Sequence, residues 1–163
     1  MAGGEARRFG ADKALAPYRG RPLIAHVADR LAAECDELVV CGRNWGGLTA
    51  LEDVPAPGLG PMGGLAAALA HAAARGHAAV LCAPCDTPDL PAGLAHLLAP
   101  GPAVAEGQWL IGLWPAELAG RLDAVLSAEG AIPARRWVAE TGAARRPFPF
   151  VSNINRPGDL PGD

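Results

Sequence analysis

The sequence predicts an α/β fold of three layers, in which helices cover both faces of a mostly parallel sheet that carries an antiparallel addition. Three observations predict it. Short apolar runs of strand length at residues 38–41 and 78–82 are separated by stretches of helical periodicity, which implies right-handed crossovers and parallel pairing. From Ala103 the pattern changes to strand-like runs joined by a Glu106-Gly107 turn, a hairpin signature. The chain has 163 residues, half of them apolar, which suits one domain over residues 1–163 built on a single core without metals or disulfides.

The chain opens with A-G-G-E-A-R-R-F-G-A-D-K-A-L at residues 2–15, a glycine-rich basic loop. After Arg21-Pro22 comes a helix with Ile24, Val27, Ala28 and Leu31 on one face and Asp29, Arg30 and Glu34 opposite. Residues 38–41 read as a short buried strand, ended by Gly42 and a loop at residues 43–47. Residues 55–64 are rich in proline and glycine and read as a second binding loop. An alanine-rich helix over 65–75 follows, stopped by Gly76. Residues 78–82 form the next buried strand, which delivers Pro84-Cys85-Asp86-Thr87-Pro88, and a helix follows at about 92–98. The hairpin pairs 103–105 with 108–114 and is expected on one side of the sheet. Pro115 opens a helix with Leu118, Leu122, Val125 and Leu126 on one face. Another helix spans 132–141, and 148–151 is a final short strand.

Composition excludes several classes. A net charge of −3 lacks the basic excess of a phosphate-tracking nucleic-acid binder. No apolar run approaches the ~20 residues of a membrane span, and no signal-peptide core is present, so a cytoplasmic protein is expected. Cys35, Cys41, Cys82 and Cys85 read as buried thiols in a reducing compartment. The single C-x-x-C at 82–85 cannot close a four-ligand zinc site, and His26, His71, His77 and His96 are scattered.

The opening loop has the chemistry of a polyphosphate cradle. Gly3 and Gly4 let backbone N–H groups converge on phosphate oxygens, Arg8 can fork onto two oxygens of a leaving pyrophosphate, and Lys13 suits the phosphorus under attack. The spacing matches neither a P-loop nor a dinucleotide-binding fingerprint. Asp86 closes an apolar strand at the carboxyl edge of the sheet, where open α/β sheets bind ligands, and can offer a carboxylate to Mg²⁺. The alternative for Asp86 is a turn or helix-capping residue. Asn153 and Asn155 read by composition as turn formers.

The opening run resembles the L-A-G-G-x-x-x-R-M-G-x-D-K-A-L signature of the molybdenum cofactor guanylyltransferases, the MobA family of nucleotidyltransferases. Phe9 replaces the family's Met and Met1 its Leu. Three further blocks resemble the same family in order: Asp53 with G-L-G-P-M-G-G-L at 58–65, C-D-T-P-D-L-P at 85–91, and N-I-N-R-P-G-D-L at 153–160, with Arg156 in place of the usual Thr. The resemblance implies a Rossmann-like nucleotidyltransferase sheet whose first strand is largely missing here, reduced to Met1 and Ala2. A gap beside buried strands would leave ladder groups unpaired at roughly 1–3 kcal/mol each, so a coding start upstream of Met1 is expected.

The resemblance also implies transfer of GMP from GTP to the phosphate of molybdopterin carrying molybdenum, with release of pyrophosphate. Ala2, Gly3, Gly4, Lys13, Asp53, Gly63 and Gly64 would hold the guanine nucleotide. Arg8, Lys13 and Asp86 would be catalytic, and Asp86 with Asn155 would bind Mg²⁺. Asn153 would orient its loop. The partners implied are GTP and molybdopterin, with no nucleic acid, no membrane, and a monomer or weak oligomer. Where the family often has Asn after the second strand, this chain has Cys41-Gly42-Arg43-Asn44, which leaves one nucleotide contact unassigned. Trp109, Trp114 and Trp137 beside Arg135, Arg136, Arg145 and Arg146 offer aromatic and cationic surface for a pterin, without a specific assignment. A cytidylyltransferase or sugar-phosphate nucleotidyltransferase of the same fold, or a nucleotide-binding regulator without catalysis, remain alternatives.

Overall fold

The computed structural model describes residues 12–149, 151, 153, 154 and 159. A short hairpin, β1 (Pro17–Tyr18) and β2 (Arg21–Pro22), precedes the first helix and has no counterpart in the sequence reading. Its tip is Arg19-Gly20, both at positive φ (48° and 76°), the turn geometry that matches the twist of a tight hairpin. Arg19 tolerates that conformation with its guanidinium 4.9 Å from the Tyr18 ring and 3.2 Å from the Asp89 carboxylate. Helix α1 (Leu23–Ala32) buries Leu23, Ile24, Val27, Ala28 and Leu31, the face expected from its periodicity.

Strand β3 (Val39–Cys41) pairs in parallel with β4 (Thr49–Leu51). Thr49 and Ala50 are exposed, so β4 carries no apolar run and sequence pattern does not reveal it. Helix α2 (Gly60–Arg75) begins five residues before the expected start. Pro61 fits the first turn of a helix, where its missing N–H costs nothing, and packing overrides the poor propensity of Gly63 and Gly64. Gly76, at φ 78°, ends α2 with its N–H on the Ala72 and Ala73 carbonyls.

Strand β5 (Ala79–Cys82) leads to helix α3 (Leu94–Leu98), which has no local capping side chain. Glu34, just past α1, replaces one: its carboxylate accepts the Leu94 and Ala95 N–H groups at 3.0 and 2.8 Å. Strands β6 (Ala103–Ala105) and β7 (Gln108–Pro115) form the expected hairpin. A 3₁₀ turn at Ala116–Leu118 then leads into α4 (Ala119–Glu129), followed by α5 (Ala134–Thr141) and β8 (Ala144–Arg146).

The larger sheet has the order β5-β7-β6-β8. β7 runs antiparallel to both neighbours and β6 pairs with β8 in parallel, so three strands share one direction and β7 opposes them. Two expectations are corrected. The hairpin does not extend one side of the sheet, because β7 is inserted between β5 and β6. Among the described residues the last strand is Ala144–Arg146, and residues 148, 149 and 151 lie outside any strand; the arginines of β8 mask it in sequence, and charge is what an edge strand needs against aggregation.

Alternate residues of the sheet feed two cores. Val104 and Trp114 point to one face, where they meet Met62, Leu65 and Leu69 of α2, Leu122 and Leu126 of α4 and Trp137 of α5. Ala103, Ala105 and Ile111 point to the other, against Val27 and Leu31 of α1 and Leu94 and Leu98 of α3. This is the three-layer architecture. Among the described residues no strand lies between β3 and β5, and a cavity of about 370 Å³ lined by both strands and by α2 separates them. Met1 and Ala2, the remnant of the expected first strand, are outside the described residues. No helix among the described residues is long and apolar enough to cross a membrane.

Gly112 on β7 is where the aromatic core meets the sheet. A Cβ there would lie 2.6 Å from Trp114 Nε1 and 3.1 Å from the Ala103 carbonyl oxygen, and the buried indole has no room to retreat. Gly112→Ala is expected to destabilise the protein by about 1–3 kcal/mol, read as a lower midpoint in urea denaturation; an unchanged midpoint would show that the indole moves freely.

Candidate active site

The chemistry-bearing residues collect at the carboxyl edge of the strands. Asp86 follows β5 in a turn that the neighbouring residues lock. Thr87 is fully buried and its hydroxyl donates to the Pro84 carbonyl at 2.8 Å, while the Asp86 carbonyl accepts the Ile154 N–H at 2.9 Å. The backbone of Asp86 is therefore held from both sides. Its side chain is 17% exposed; Oδ2 accepts from Lys13 Nζ at 2.6 Å, and Oδ1 is buried without a hydrogen-bond partner among the described residues.

Lys13 begins a single 3₁₀ turn (Lys13–Leu15) capped by Asp12, whose Oδ1 accepts the Ala14 N–H at 3.2 Å. The same carboxylate receives both terminal nitrogens of Arg43, from the loop after β3: Nη1 donates to Oδ1 at 2.7 Å and Nη2 to Oδ2. The Arg43 hydrogen bonds hold the Asp12 carboxyl below its usual range, against the opposing effect of burial.

Beside this pair lies a cavity of about 740 Å³ between the ends of β3 and β4 and the start of α2, lined by Arg43, Asn44, Glu52, Asp53, Gly58 and Gly64 among others. The first turn of α2 directs unpaired N–H groups and positive dipole potential this way. Gly63 is required by close approach. A Cβ on it would sit 2.7 Å from Leu59 Cβ and 2.8 Å from Asp53 Cβ, so Asp53 is seated directly against bare helix backbone. Gly64 contributes its carbonyl, which accepts from the Cys41 thiol at 3.2 Å.

Of the residues singled out from sequence, Lys13 meets Asp86, Asp53 and Gly64 line the neighbouring cavity, and Gly63 lies against Asp53. Arg43 joins the two, as it lines the cavity and grips the residue before Lys13. Ala2, Gly3, Gly4, Arg8 and Asn155 lie outside the described residues. Asn153 is reached by Gln108, whose amide donates to Asn153 Oδ1 at 3.0 Å and to the Val151 carbonyl at 3.2 Å. Gln108, Asp12 and Arg43 had no role in the sequence reading. Asp12 had a visible signal as the acid preceding Lys13, whereas nothing in the spacing linked it to a residue 31 positions away.

The cysteines are free, and burial pushes all four thiols up, Cys82 to about 11, which keeps them protonated and poorly nucleophilic. No group of three ligating side chains suited to a metal exists among the described residues. The aromatic surface offered for a pterin is not intact. Trp114 and Trp137 are core residues, 2% and 0% exposed, with ring centroids 6.2 Å apart. Trp109 is partly open and has the Arg145 guanidinium 5.0 Å from its ring, whereas the cation over Trp137, Arg121 at 5.7 Å, sits on a core ring.

A family model described as a MobA-like NTP transferase domain matches residues 1–145. A molybdenum cofactor guanylyltransferase of Cereibacter sphaeroides is 40% identical over 178 residues, covering 98% of this chain and 91% of that protein. One from Rhodobacter capsulatus is 38% identical, covering 98% and 90%. Among solved structures, the molybdopterin-guanine dinucleotide biosynthesis protein A of Archaeoglobus fulgidus superposes with a TM-score of 0.71 at 21% identity, covering 98% of this chain and 92% of that one, a likeness of fold.

Gly63→Ala is expected to displace Asp53 from the cavity wall and weaken nucleoside triphosphate binding about ten-fold, on the order of 1.4 kcal/mol, by isothermal titration. Unchanged affinity would detach Asp53 from the nucleotide.

Proposed function

From the premise that the chain belongs to the MobA-like NTP transferase family, we propose that it transfers GMP from GTP to the terminal phosphate of molybdopterin carrying molybdenum, forming the guanine dinucleotide and pyrophosphate. The observation that carries this reading is the contact between Lys13 and Asp86, tied through Asp12 to Arg43 in the wall of a cavity large enough for a nucleoside. Cation and carboxylate from distant parts of the chain meet where a triphosphate would have to lie. Bacterial guanylyltransferases similar over nearly the whole chain supply the substrate pair.

The acceptor phosphate is ionised before it arrives, so no general base and no covalent enzyme intermediate is required. Catalysis reduces to alignment and charge neutralisation. Asp53 and the Gly63-Gly64 turn of α2 hold the guanine nucleotide. Lys13 turns its ammonium from Asp86 to the α-phosphoryl group, where charge accumulates as the new P–O bond forms and the bond to pyrophosphate breaks. Arg8 and the N–H groups near Gly3 and Gly4 receive the departing pyrophosphate.

The residues present fit a magnesium ion. Asp86 Oδ1 is a buried carboxylate oxygen without a hydrogen-bond partner among the described residues, and Mg²⁺ takes one or two carboxylates together with substrate phosphates and water. Asp86, with Asn155, would hold it, and the ion would supply neutralisation of phosphate charge. The whole chain acts as one cytoplasmic domain, taking GTP and molybdopterin as its substrates.

Lys13→Ala and Asp86→Ala are each expected to lower turnover by about 10²–10³ while shifting the melting temperature by only a few degrees. Pyrophosphate release with molybdopterin and either GTP or CTP is the assay. Wild-type turnover in either variant would remove that residue from the mechanism, and faster release with CTP would overturn the choice of nucleotide.

A further inference from the structure

Arg43 stands where the family resemblance left a nucleotide contact unassigned, and its geometry gives it a different task. Both of its terminal nitrogens are engaged by the Asp12 carboxylate, and the side chain is only 20% exposed. A guanidinium forked onto a carboxylate is fixed in two directions, which a single hydrogen bond does not achieve. Asp12 in turn caps the 3₁₀ turn that Lys13 begins.

What this pair connects gives it its importance. Among the described residues β3 and β4 form one sheet and β5, β7, β6 and β8 another, with no strand pairing between them. Arg43 follows β3, beside the nucleotide cavity, whereas Asp86 follows β5. Adjacent residues of one chain, with Cα atoms about 3.8 Å apart, span that divide: Asp12 is held on the β3 side by Arg43 and Lys13 on the β5 side by Asp86. The ammonium of Lys13 ends a flexible four-carbon stem, so its placement relative to the cavity depends on how firmly its own backbone is held. Without ligand a hydrogen-bonded contact to Asp86 holds the tip, and Arg43, through Asp12, holds the root in either state.

We propose that Arg43 is a positioning residue for guanylyl transfer, which acts through Asp12 to hold the Lys13 turn in register with the nucleotide cavity. This rests on the function proposed above. A group acting in this way affects the rate of the bound complex more than its formation, because misplacement of a reacting or stabilising group by about 1 Å can cost about 10²-fold in rate.

The test compares wild type with Arg43→Ala, Arg43→Lys, Asp12→Asn and the Arg43→Ala/Asp12→Asn double variant. Kinetics are read as pyrophosphate release with GTP and molybdopterin. Exchange is read by hydrogen–deuterium exchange of residues 12–16 in the ligand-free protein. Expected are a fall in kcat of about 10–100-fold with the KM for GTP within about three-fold of wild type, and a double variant no slower than the worse single one, as two members of one unit behave. Arg43→Lys, which keeps the charge but cannot fork, should recover only part of the rate. The 12–16 segment should exchange faster in every variant. A raised KM for GTP with kcat retained would make Arg43 a nucleotide ligand and overturn the proposal, as would additive losses or unchanged exchange. A wild-type protein that releases no pyrophosphate would sink the guanylyl-transfer reading instead, and the exchange measurement would still decide whether Arg43 holds the turn.

Discussion

One ion pair organises this molecule: the ammonium of Lys13 against Asp86, 2.6 Å apart and 73 residues apart in sequence. The contact is three-quarters shielded from water on both sides. Removing two charges from water is expensive unless their remaining hydrogen-bonding capacity is met, and here it is not fully met, since Asp86 Oδ1 stays buried without a partner among the described residues. An unsatisfied buried polar atom costs roughly 1–3 kcal/mol. A fold selected for stability alone would remove that cost. On the function proposed above, a cation and a polyanion would complete what the protein leaves open.

The rest of the fold keeps these two charges in place. Thr87 locks the turn that presents Asp86, and the returning C-terminal segment pins the Asp86 carbonyl through Ile154. Ile154 is buried and packs with Ala16, Tyr18 and Leu23, close to the Lys13 turn. On the far side, α2 places its first turn at the cavity of about 740 Å³ and seats Gly63 against Asp53. Glu37 anchors the other end of that helix by accepting from His77, His71 and Arg75; the histidine hydrogen bonds push its carboxyl down to about 2. Both ends of α2 are thus tied to the loops that flank β3 and β4.

Much of this was legible in the sequence because burial leaves a pattern. The apolar run before Asp86 announced a strand end with a carboxylate on it, and the spacing of Ile24, Val27, Ala28 and Leu31 announced the face that α1 buries. What failed to show had physical reasons for doing so. β4 and β8 carry exposed or charged residues, so alternation and apolar runs both miss them. The start of α2 reads as loop because Gly60, Gly63 and Gly64 are poor helix formers; the helix includes them, and Gly63 lets its backbone approach Asp53 closely. Trp114 and Trp137 carry the same residue type as Trp109, and sequence could not separate the two that fill the core from the one that stays partly open. The Arg43–Asp12 pair has no local signature at all, since a long-range fork between two loops follows no periodicity.

Cation, metal and triphosphate are predicted to meet at a single point. A crystal structure with Mn²⁺ and a GTP analogue that cannot be cleaved between the α- and β-phosphorus, with manganese located by its anomalous signal, tests it most directly. The ion is predicted on Asp86, and the Lys13 ammonium is predicted on an α-phosphate oxygen of a nucleotide whose base lies in the cavity beside Asp53. A triphosphate bound away from Lys13, or manganese bound without Asp86, would contradict the account.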